Sequence, residues 1–408
     1  MMIDTVASPL ATTAGADPAI ASTLAQVRRI AAAAARGAAA IDHEGAFPTV
    51  ELHSLADMGF FGAPVSRALG GLGLGIDPGG MDALLQILTT LGWGNLSLAR
   101  LYEGHVNALT VIQTFGTPDQ ARRFAHDAGA GHRLFAVWNT EGAAGVRLTL
   151  LGGDRFRLEG AKTFASGAGH VTRPLLTAAL PDGGWQMVVP AMEHASATID
   201  ESSWRPLGMH ASASYTIDLT GIEIGRDALI GGPGDYYQQP WFSGGALRFA
   251  AAQLGGAIAL LDAARAELVS LGRTEDPFQR SRMGEAAIAI QGGLLWLRAA
   301  AARADRSSLG GAGADDVPPA QMAAFANMVR ITIERICLDV LEIAERSIGA
   351  RALLKPHPIE RIGRDLTLYL RQPAPDATQT QVGQHVLGSS RSALDLWTLD
   401  WAAGPESG

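Results

Sequence analysis

The sequence has 408 residues, of which 47% are hydrophobic and 18% are charged, which is enough apolar content to build the buried cores of about two to four domains. Lys and Arg total 32 against 40 Asp and Glu, a formal net charge of −8, so the chain lacks the basic excess that typifies nucleic-acid-binding proteins. The single cysteine, Cys337, excludes an intramolecular disulfide and a multi-cysteine zinc or iron–sulfur site, and it indicates a cytoplasmic protein.

The N-terminal segment, residues 1–17, is predicted to be flexible. It lacks the basic region followed by an apolar core that marks a signal peptide. The most apolar early stretch, residues 30–41, is mostly Ala and contains Arg36, well short of the roughly 18 apolar residues that a membrane span requires. The sequence therefore predicts no membrane association.

Residues 18–131 are predicted to form an α-helical domain. Leu24, Val27 and Ile30 recur at helical spacing, and Thr117 followed by Pro118 predicts the start of a later helix. A glycine-rich loop at 70–75 separates the first helices from the following ones because its glycines interrupt regular helix.

Residues 132–240 are predicted to form a β domain of short strands, because the period of the apolar residues changes from about 3.6 to 2. Gly152 and Gly153 lie between two strand-like arms and predict a hairpin. In the stretch TIDLTGIEI the apolar positions change parity across Gly221, which predicts a β-bulge.

Residues 241–408 are predicted to return to helix and to form a four-helix bundle with small residues at its contacts. The linker at 307–319 connects two of its long helices. Apolar residues at alternating steps of three and four predict the buried seam of the bundle: Met322, Phe325, Val329, Ile333, Ile336, Val340 and Ile343. The predicted fold class is thus α+β multidomain, with an N-terminal α domain, a central β-barrel or sandwich-like domain, and a C-terminal four-helix bundle.

Short phrases occur in a fixed order along the chain: a glycine-rich loop, Thr140-Glu141-Gly142, Gly160-Ala161-Lys162, Phe164-Ala165-Ser166-Gly167, Leu207-Gly208-Met209 and Arg364-Asp365. Their order and spacing resemble the acyl-CoA dehydrogenase superfamily of flavoproteins, along nearly the whole chain. The Phe-x-Ser-Gly form of the fourth phrase also resembles the two-component flavin monooxygenase branch of that superfamily.

The resemblance implies a flavin cofactor, with both FAD and FMN open. Thr140 and Ser166 fall where hydroxyls meet the isoalloxazine ring, while Trp138 and Phe164 fall where aromatic side chains pack near it. Three further residues are expected, by the same resemblance, to reach across a subunit contact toward the pyrophosphate and adenosine of FAD: Arg273, Gln279 and Arg346.

The catalytic base of the dehydrogenases is missing from this sequence. A carboxylate must remove a proton from the substrate in that chemistry, yet Pro373 and Leu247 occupy the two positions where the family carries the glutamate. Asp376 is the nearest acid. The monooxygenase branch often has a histidine in the first domain, and His105 is the corresponding candidate for the pocket wall.

The leading hypothesis is a flavin-dependent oxidoreductase of the acyl-CoA dehydrogenase type, acting on an acyl thioester or a similar small carbonyl substrate. The alternatives are a two-component monooxygenase that uses reduced flavin and O₂, and a catalytically inactive flavin-binding homologue. The resemblance also implies a homodimer or homotetramer, and an electron-transfer or flavin reductase partner. The identity of the substrate stays open.

Overall fold

The computed structural model describes residues 18–142, 145–310, 317–371 and 374–397. The predicted flexible segment 1–17 and the position of Pro373 lie outside the described residues. The predicted order of an α domain, a β domain and a helical bundle is confirmed.

The N-terminal part consists of helices joined by glycine-containing turns. α5 begins as predicted, because the Thr117 hydroxyl accepts from the Gln120 backbone N–H at 3.3 Å and the Gln120 side chain accepts from the Thr117 N–H at 2.8 Å, a capping box that satisfies two otherwise unpaired donors. Within the described residues the helices of this part are α1 (Pro18–Gly37), α2 (Thr49–Asp57), α3 (Met81–Gly94), α4 (Leu96–Phe115) and α5 (Pro118–Gly129).

The central part is built from two sheets. A larger sheet has the order β10-β6-β5-β2-β3-β9, with β1 parallel to β5, and a smaller one has the order β4-β8-β7. The described strands are β1 (Phe135–Trp138), β2 (Arg147–Gly152), β3 (Arg155–Glu159), β4 (Ala161–Ala165), β5 (Arg173–Ala179), β6 (Trp185–Val188), β7 (Thr198–Asp200), β8 (Tyr215–Asp218), β9 (Glu223–Gly225) and β10 (Leu229–Ile230).

Two sequence-based expectations about these strands have different outcomes. The hairpin is confirmed, because β2 and β3 pair antiparallel with Gly152 opposite Arg155. The bulge at Gly221 is wrong: β8 lies in the small sheet and β9 in the large one. The apolar residues change parity because the chain passes from one sheet to the other at this point.

The C-terminal part contains the predicted bundle. Six of the seven seam residues are buried, whereas Ile336 is half-buried and the neighbouring Cys337 takes the interior position. The described helices are α6 (Trp241–Ser270), α7 (Pro277–Asp305), α8 (Pro319–Ile348), α9 (Pro358–Tyr369), α10 (Pro375–Leu387) and α11 (Ala393–Trp397).

Helix α6 is the central helix of the molecule. A Cβ atom at Gly92 of α3 would lie 2.0 Å from the Ala252 carbonyl oxygen, and one at Gly255 would lie 2.1 Å from the Thr89 oxygen, so glycine is required where these helices cross. Among the described helices, α6 alone is long and apolar enough to cross a membrane, yet 78% of its apolar window is buried by the rest of the protein. It has the burial of a core helix.

One junction ties the three parts of the chain together. The Asp365 carboxylate on α9 accepts from the Met209 backbone N–H at 2.5 Å. Arg364 donates to Asp42 at 2.5 Å and to the Leu207 carbonyl oxygen at 2.8 Å. We call these residues the latch, because they join the segment between the first two helices of the N-terminal domain, a loop of the β domain and a helix of the bundle.

The latch leaves no space between the β-domain loop and α9. A Cβ atom at Gly208 would lie 2.4 Å from the Arg364 carbonyl carbon and 2.5 Å from the Asp365 nitrogen. Burial raises the pKa of the Asp365 carboxyl to about 6, and the Met209 N–H and Arg361 offset only part of that shift. The fold therefore tolerates a costly buried acid in order to hold this loop.

We expect Gly208→Ala to destabilise the protein, by about 1–3 kcal/mol, because backbone atoms rather than a flexible side chain block the added methyl group. The matched control is Gly383→Ala on α10, where nothing lies within 4 Å of the added Cβ and alanine favours helix by up to about 1 kcal/mol. Thermal unfolding should show a lower midpoint for the first variant and an unchanged or higher one for the second. Equal midpoints would contradict this account of the latch.

Helix α7 carries an exposed apolar face. Phe278, Ile288 and Leu295 are 73%, 76% and 55% exposed, and Ile288 and Leu295 are two turns apart on the same side. Large exposed apolar side chains in a row are typical of a surface that another chain covers. This face is where we expect the predicted homo-oligomer to form.

Ile288→Glu should reduce the molar mass measured by light scattering, because a carboxylate cannot be buried in an apolar contact without a partner. Val50→Glu on α2 is the control, since Val50 is equally exposed at 73% but lies on a different helix. An unchanged mass in Ile288→Glu, or an equal reduction in both variants, would argue against the α7 face.

Candidate active site

A cavity of about 700 Å³ lies between α4, the loops of the β domain and the helices of the bundle. Its wall combines aromatic rings from Phe164, Trp204, Tyr236, Trp241 and Phe242 with an unusual number of polar side chains. The polar side chains are Arg100, Glu103, Asn107, Thr110, Asn139, Thr140, Ser166, Ser212, Ser214, Ser243, Arg248, Asn327, Arg330, Arg371, Thr378 and Gln381.

Phe164 reaches the cavity through an irregularity in β4. Lys162 pairs with Ile217 and Ala165 pairs with Tyr215, so two residues of β4 lie opposite one residue of β8, which is a β-bulge. Phe164 has a φ of +52°, a left-handed conformation that is costly for a side chain of this size. Its ring is 57% exposed and stands edge-on to Trp204, with centroids 6.0 Å apart.

Ser166 begins a chain of hydrogen-bonded hydroxyls. Its Oγ lies 2.8 Å from Ser214 Oγ, which lies 2.8 Å from Ser212 Oγ, and Ser212 donates to the Met209 carbonyl oxygen at 2.9 Å. A carbonyl oxygen only accepts, so the hydrogens must all run from Ser166 toward Met209. Ser166 therefore presents acceptor lone pairs, and no free hydroxyl hydrogen, to the cavity.

Trp138 lies behind the wall rather than on it. It is 1% exposed, and its indole Nε1 donates to the Ser166 carbonyl oxygen at 3.0 Å. Thr140 is on the wall, and its carbonyl oxygen accepts from the Thr163 N–H at 3.1 Å. The structure thus brings Thr140, Phe164 and Ser166 together around one cavity and gives Trp138 a supporting position.

A buried ion pair joins the two segments that carry these residues. The Lys162 ammonium, which is fully buried, donates to Glu141 and to Thr177 Oγ1, and Glu141 also accepts from the Val146 N–H at 2.8 Å. Burial lowers the pKa of Lys162, and Glu141 opposes that shift. The Thr-Glu-Gly and Gly-x-Lys phrases of the sequence are therefore the two halves of one contact.

The wall opposite the serines carries charged side chains from α4. Arg100 donates to Glu103 at 2.5 Å, and the Asn107 amide nitrogen donates to the other carboxylate oxygen of Glu103. Burial disfavours the charge of Arg100, yet Glu103 raises its pKa above the ordinary value. Sequence reasoning did not predict that Glu103 reaches the cavity, because only the crossing of α4 under the β domain brings it there.

Arg248 of α6 lies beside this pair. It is 2% exposed, and it donates to Asn107 Oδ1 at 2.9 Å and to Thr110 Oγ1 at 3.3 Å. Its Nε has no acceptor. Burial lowers the pKa of Arg248 to about 10, against the opposing charge of Glu103.

His105 is not on the cavity wall. Its Nε2 donates to the Phe61 carbonyl oxygen at 2.8 Å, and its Nδ1 accepts from the Phe135 N–H at 3.2 Å, which makes it a neutral imidazole in the core. Burial lowers its pKa to about 4, and the Phe61 carbonyl only partly opposes that shift. One ring nitrogen thus ties α4 to the turn after α2, and the other ties it to β1 of the β domain.

The positions considered for the base of the dehydrogenase reaction supply no carboxylate to the cavity. Asp376 is exposed in the first turn of α10, although its neighbours Ala377 and Thr378 line the wall. Leu247 is fully buried and aliphatic. Among the described residues on the wall, Glu103 is the one carboxylate.

The three residues expected toward the adenosine lie elsewhere in this chain. Arg273 pairs with Asp276 at 2.6 Å, and Arg346 pairs with Glu342 at 3.2 Å on the surface of α8. Gln279 is buried and donates to the Ser347 carbonyl oxygen at 3.3 Å, while its Oε1 has no partner. Gln279 is thus close to the end of α8, but none of the three lines the cavity.

Comparison with known proteins supplies independent information about this chain. The family model described as "Acyl-CoA dehydrogenase, N-terminal domain" matches residues 20–132, and "Acyl-CoA dehydrogenase, C-terminal domain" matches residues 247–370. The mitochondrial isobutyryl-CoA dehydrogenase of Dictyostelium discoideum is 23% identical over 345 residues, which cover 80% of this chain and 79% of that protein.

Similarity extends equally to oxygenases. The dibenzothiophene monooxygenase of Mycolicibacterium goodii is 23% identical over 375 residues, covering 85% of this chain and 89% of that enzyme. The crystal structure of FMN-bound TdsC from Paenibacillus sp. A11-2 superimposes with a TM-score of 0.80 at 21% identity, covering 90% of this chain and 97% of that one.

Lys162→Met should destabilise the protein by about 3–5 kcal/mol, because it leaves the Glu141 carboxylate without its partner in a partly buried site. The sequence contains one other lysine, Lys355, which is exposed, so Lys355→Met is a matched control with little expected effect. Thermal unfolding of the two variants tests this. If both lysine variants unfold at the wild-type temperature, the ion pair does not hold the site together.

Proposed function

The chain belongs to the acyl-CoA dehydrogenase family, and from that premise we propose that it is a flavin-dependent monooxygenase that takes reduced flavin from a separate reductase. Enzymes of this family use flavin to oxidise small molecules, by dehydrogenation or by oxygenation. FAD is the family's cofactor and FMN is bound in TdsC, so either is compatible with the fold.

The cavity fits a flavin in size and chemistry. Its aromatic surface at Phe164 and Trp204 suits a flat ring, and the oxygens of Thr140 and Ser166 are available to the polar edge of that ring. When bound in its reduced form, a flavin activates O₂ and transfers one oxygen atom to the substrate while the other leaves as water. The protein residues would bind and orient the ring, and the aromatic side chains of the wall would cover part of it.

The observation that carries this proposal is that hydrogen bonds occupy both carboxylate oxygens of Glu103. Dehydrogenation next to a carbonyl group requires a base that removes a proton from carbon. Glu103 is the one carboxylate on the described wall, and both of its oxygens are engaged, one by Arg100 and the other by Asn107. Because each oxygen already accepts a hydrogen bond from a neighbouring side chain, neither is free to face a substrate C–H group. Oxygenation does not require a base that removes a proton from carbon.

The direction of the serine hydroxyls supports the same conclusion. One ring nitrogen of a flavin, N5, carries a hydrogen only in the reduced form. Ser166 presents an acceptor because its own hydrogen is committed to Ser214, so it would match reduced flavin better than oxidised flavin.

The leading alternative, an acyl-CoA dehydrogenase, begins its reaction with oxidised flavin rather than reduced flavin. Equilibrium binding of oxidised and chemically reduced FMN and FAD, measured without oxygen, distinguishes the two. We expect reduced flavin to bind more tightly than oxidised flavin. We also expect O₂ consumption without substrate to be faster when the protein is added to a flavin reductase and NADH than with the reductase and NADH alone. Bleaching of protein-bound oxidised flavin by butyryl-CoA or isobutyryl-CoA in the absence of a reductase would contradict the proposal and support dehydrogenation.

Two serine variants test the orientation of the hydroxyl chain. Ser166→Ala removes the acceptor and should weaken binding of reduced flavin by about 2- to 10-fold, with a smaller effect on oxidised flavin. Ser214→Ala frees the hydrogen of Ser166 to point toward the ring, so it should instead strengthen binding of oxidised flavin relative to reduced. Identical changes in both variants would show that the direction of the chain is irrelevant to binding.

A further inference from the structure

The charges around Arg248 do not balance within the described wall. Arg100 and Glu103 neutralise each other, and Arg371 pairs with Glu334 at 3.6 Å. Arg330 donates to Thr378 Oγ1 at 2.9 Å and is acted on by the charge of the same Glu334. Arg248 contacts only the neutral oxygens of Asn107 and Thr110. A buried guanidinium with no carboxylate in direct contact is costly, because water has been removed and no ion pair replaces it.

The hydrogen-bonding capacity of Arg248 is also unfilled. A guanidinium has five N–H donors, and the described residues accept from one Nη1 hydrogen and one Nη2 hydrogen. The Nε hydrogen has no acceptor. Buried donors in proteins are normally matched by another protein group, by ordered water or by a bound ligand, and Arg248 lies on the wall of a cavity that can hold one.

The geometry points to an oxyanion subsite: we propose that the wall formed by Arg248, Asn107 and Thr110 binds a negatively charged oxygen-bearing group of the substrate, such as a carboxylate. The inference rests on the proposed function only in taking this cavity as the place where the substrate binds. It makes the substrate a small polar anion rather than a long apolar acyl chain, because an alkyl chain would bury these donors without satisfying them.

Asn107 has a specific part in this subsite. Its Nδ2 donates to Glu103 and its Oδ1 accepts from Arg248, so one amide separates the two charges. Glu103, already paired with Arg100, acts on Arg248 by its charge but makes no direct ion pair with it. The planar guanidinium of an arginine binds a carboxylate or a similar group through two parallel hydrogen bonds.

The phosphate of a bound flavin is the other source of an oxyanion, and the experiment separates the two. Isothermal titration of the wild-type protein with benzoate and with benzamide compares an anion with a neutral molecule of the same shape. We expect benzoate to bind about 10- to 100-fold more tightly, the effect of charge-assisted hydrogen bonds, both in flavin-free protein and in protein saturated with FMN. Equal affinity for benzoate and benzamide would overturn the proposal.

Variants identify the residue responsible. Arg248→Gln should weaken benzoate binding by about 10-fold or more and leave benzamide binding nearly unchanged. Thr110→Asp supplies an internal carboxylate to an intact Arg248 and should have the same effect, which guards against misfolding of the first variant. Arg265→Gln is the control, because Arg265 lies on the same helix with a side chain that is 66% exposed, and it should change neither affinity.

The remaining outcomes are also decisive. If FMN displaces benzoate, and Arg248→Gln weakens FMN binding but not riboflavin binding, the subsite belongs to the flavin phosphate and the proposal is wrong. If benzoate discrimination is found but butyryl-CoA bleaches the bound flavin, the oxyanion subsite stands and the oxygenase assignment fails.

Discussion

The loop at 207–214 lines the cavity because the latch holds it from two sides. Asp365 accepts from the backbone of Met209, and Arg364 joins the same loop to Asp42 in the first domain. The cost is a buried carboxylate whose pKa burial raises to about 6. The three parts of the chain share one apolar core, and the latch adds directional polar contacts that fix the serine-bearing loop relative to the bundle.

The serine chain is the first feature that depends on that junction. Ser212 donates to Met209, the residue whose N–H the latch holds, and its hydroxyl in turn sets the direction of Ser214 and Ser166. This hydrogen-bond chain ends at a backbone carbonyl oxygen near the domain boundary. Ser166 therefore presents a hydrogen-bond acceptor to the cavity. On the other side, the Glu141–Lys162 pair fixes the bulged strand that carries Phe164. The latch and the Glu141–Lys162 pair thus fix the β-domain residues that line the cavity.

Charge is handled differently on the two walls. On the β-domain wall, Lys162 has a carboxylate partner and lies behind the surface of the cavity. On the helical wall, Arg100 and Glu103 neutralise each other, while Arg248 meets only an amide and a hydroxyl oxygen. A fully balanced wall would suit an apolar ligand, because nothing would be left unpaired when water leaves. The imbalance at Arg248 is what distinguishes this cavity from a hydrophobic pocket, and it agrees with an enzyme whose wall offers no free carboxylate as a base.

The sequence by itself determined the succession of helical, β and helical regions, the hairpin at Gly152, the helix start at Thr117 and most of the bundle seam, because each depends on local periodicity or on neighbouring residues. The resemblance of its phrases to a known family also singled out Thr140, Phe164 and Ser166, and the fold places these three residues on the wall of one cavity. The tertiary structure alone decided the rest. It turned the parity change at Gly221 into a passage between sheets, placed His105 in the core, and brought Glu103 and Arg248 from distant helices to one wall. Such contacts arise from the crossing of elements far apart in the chain, and no periodicity within one element records where another element will cross it.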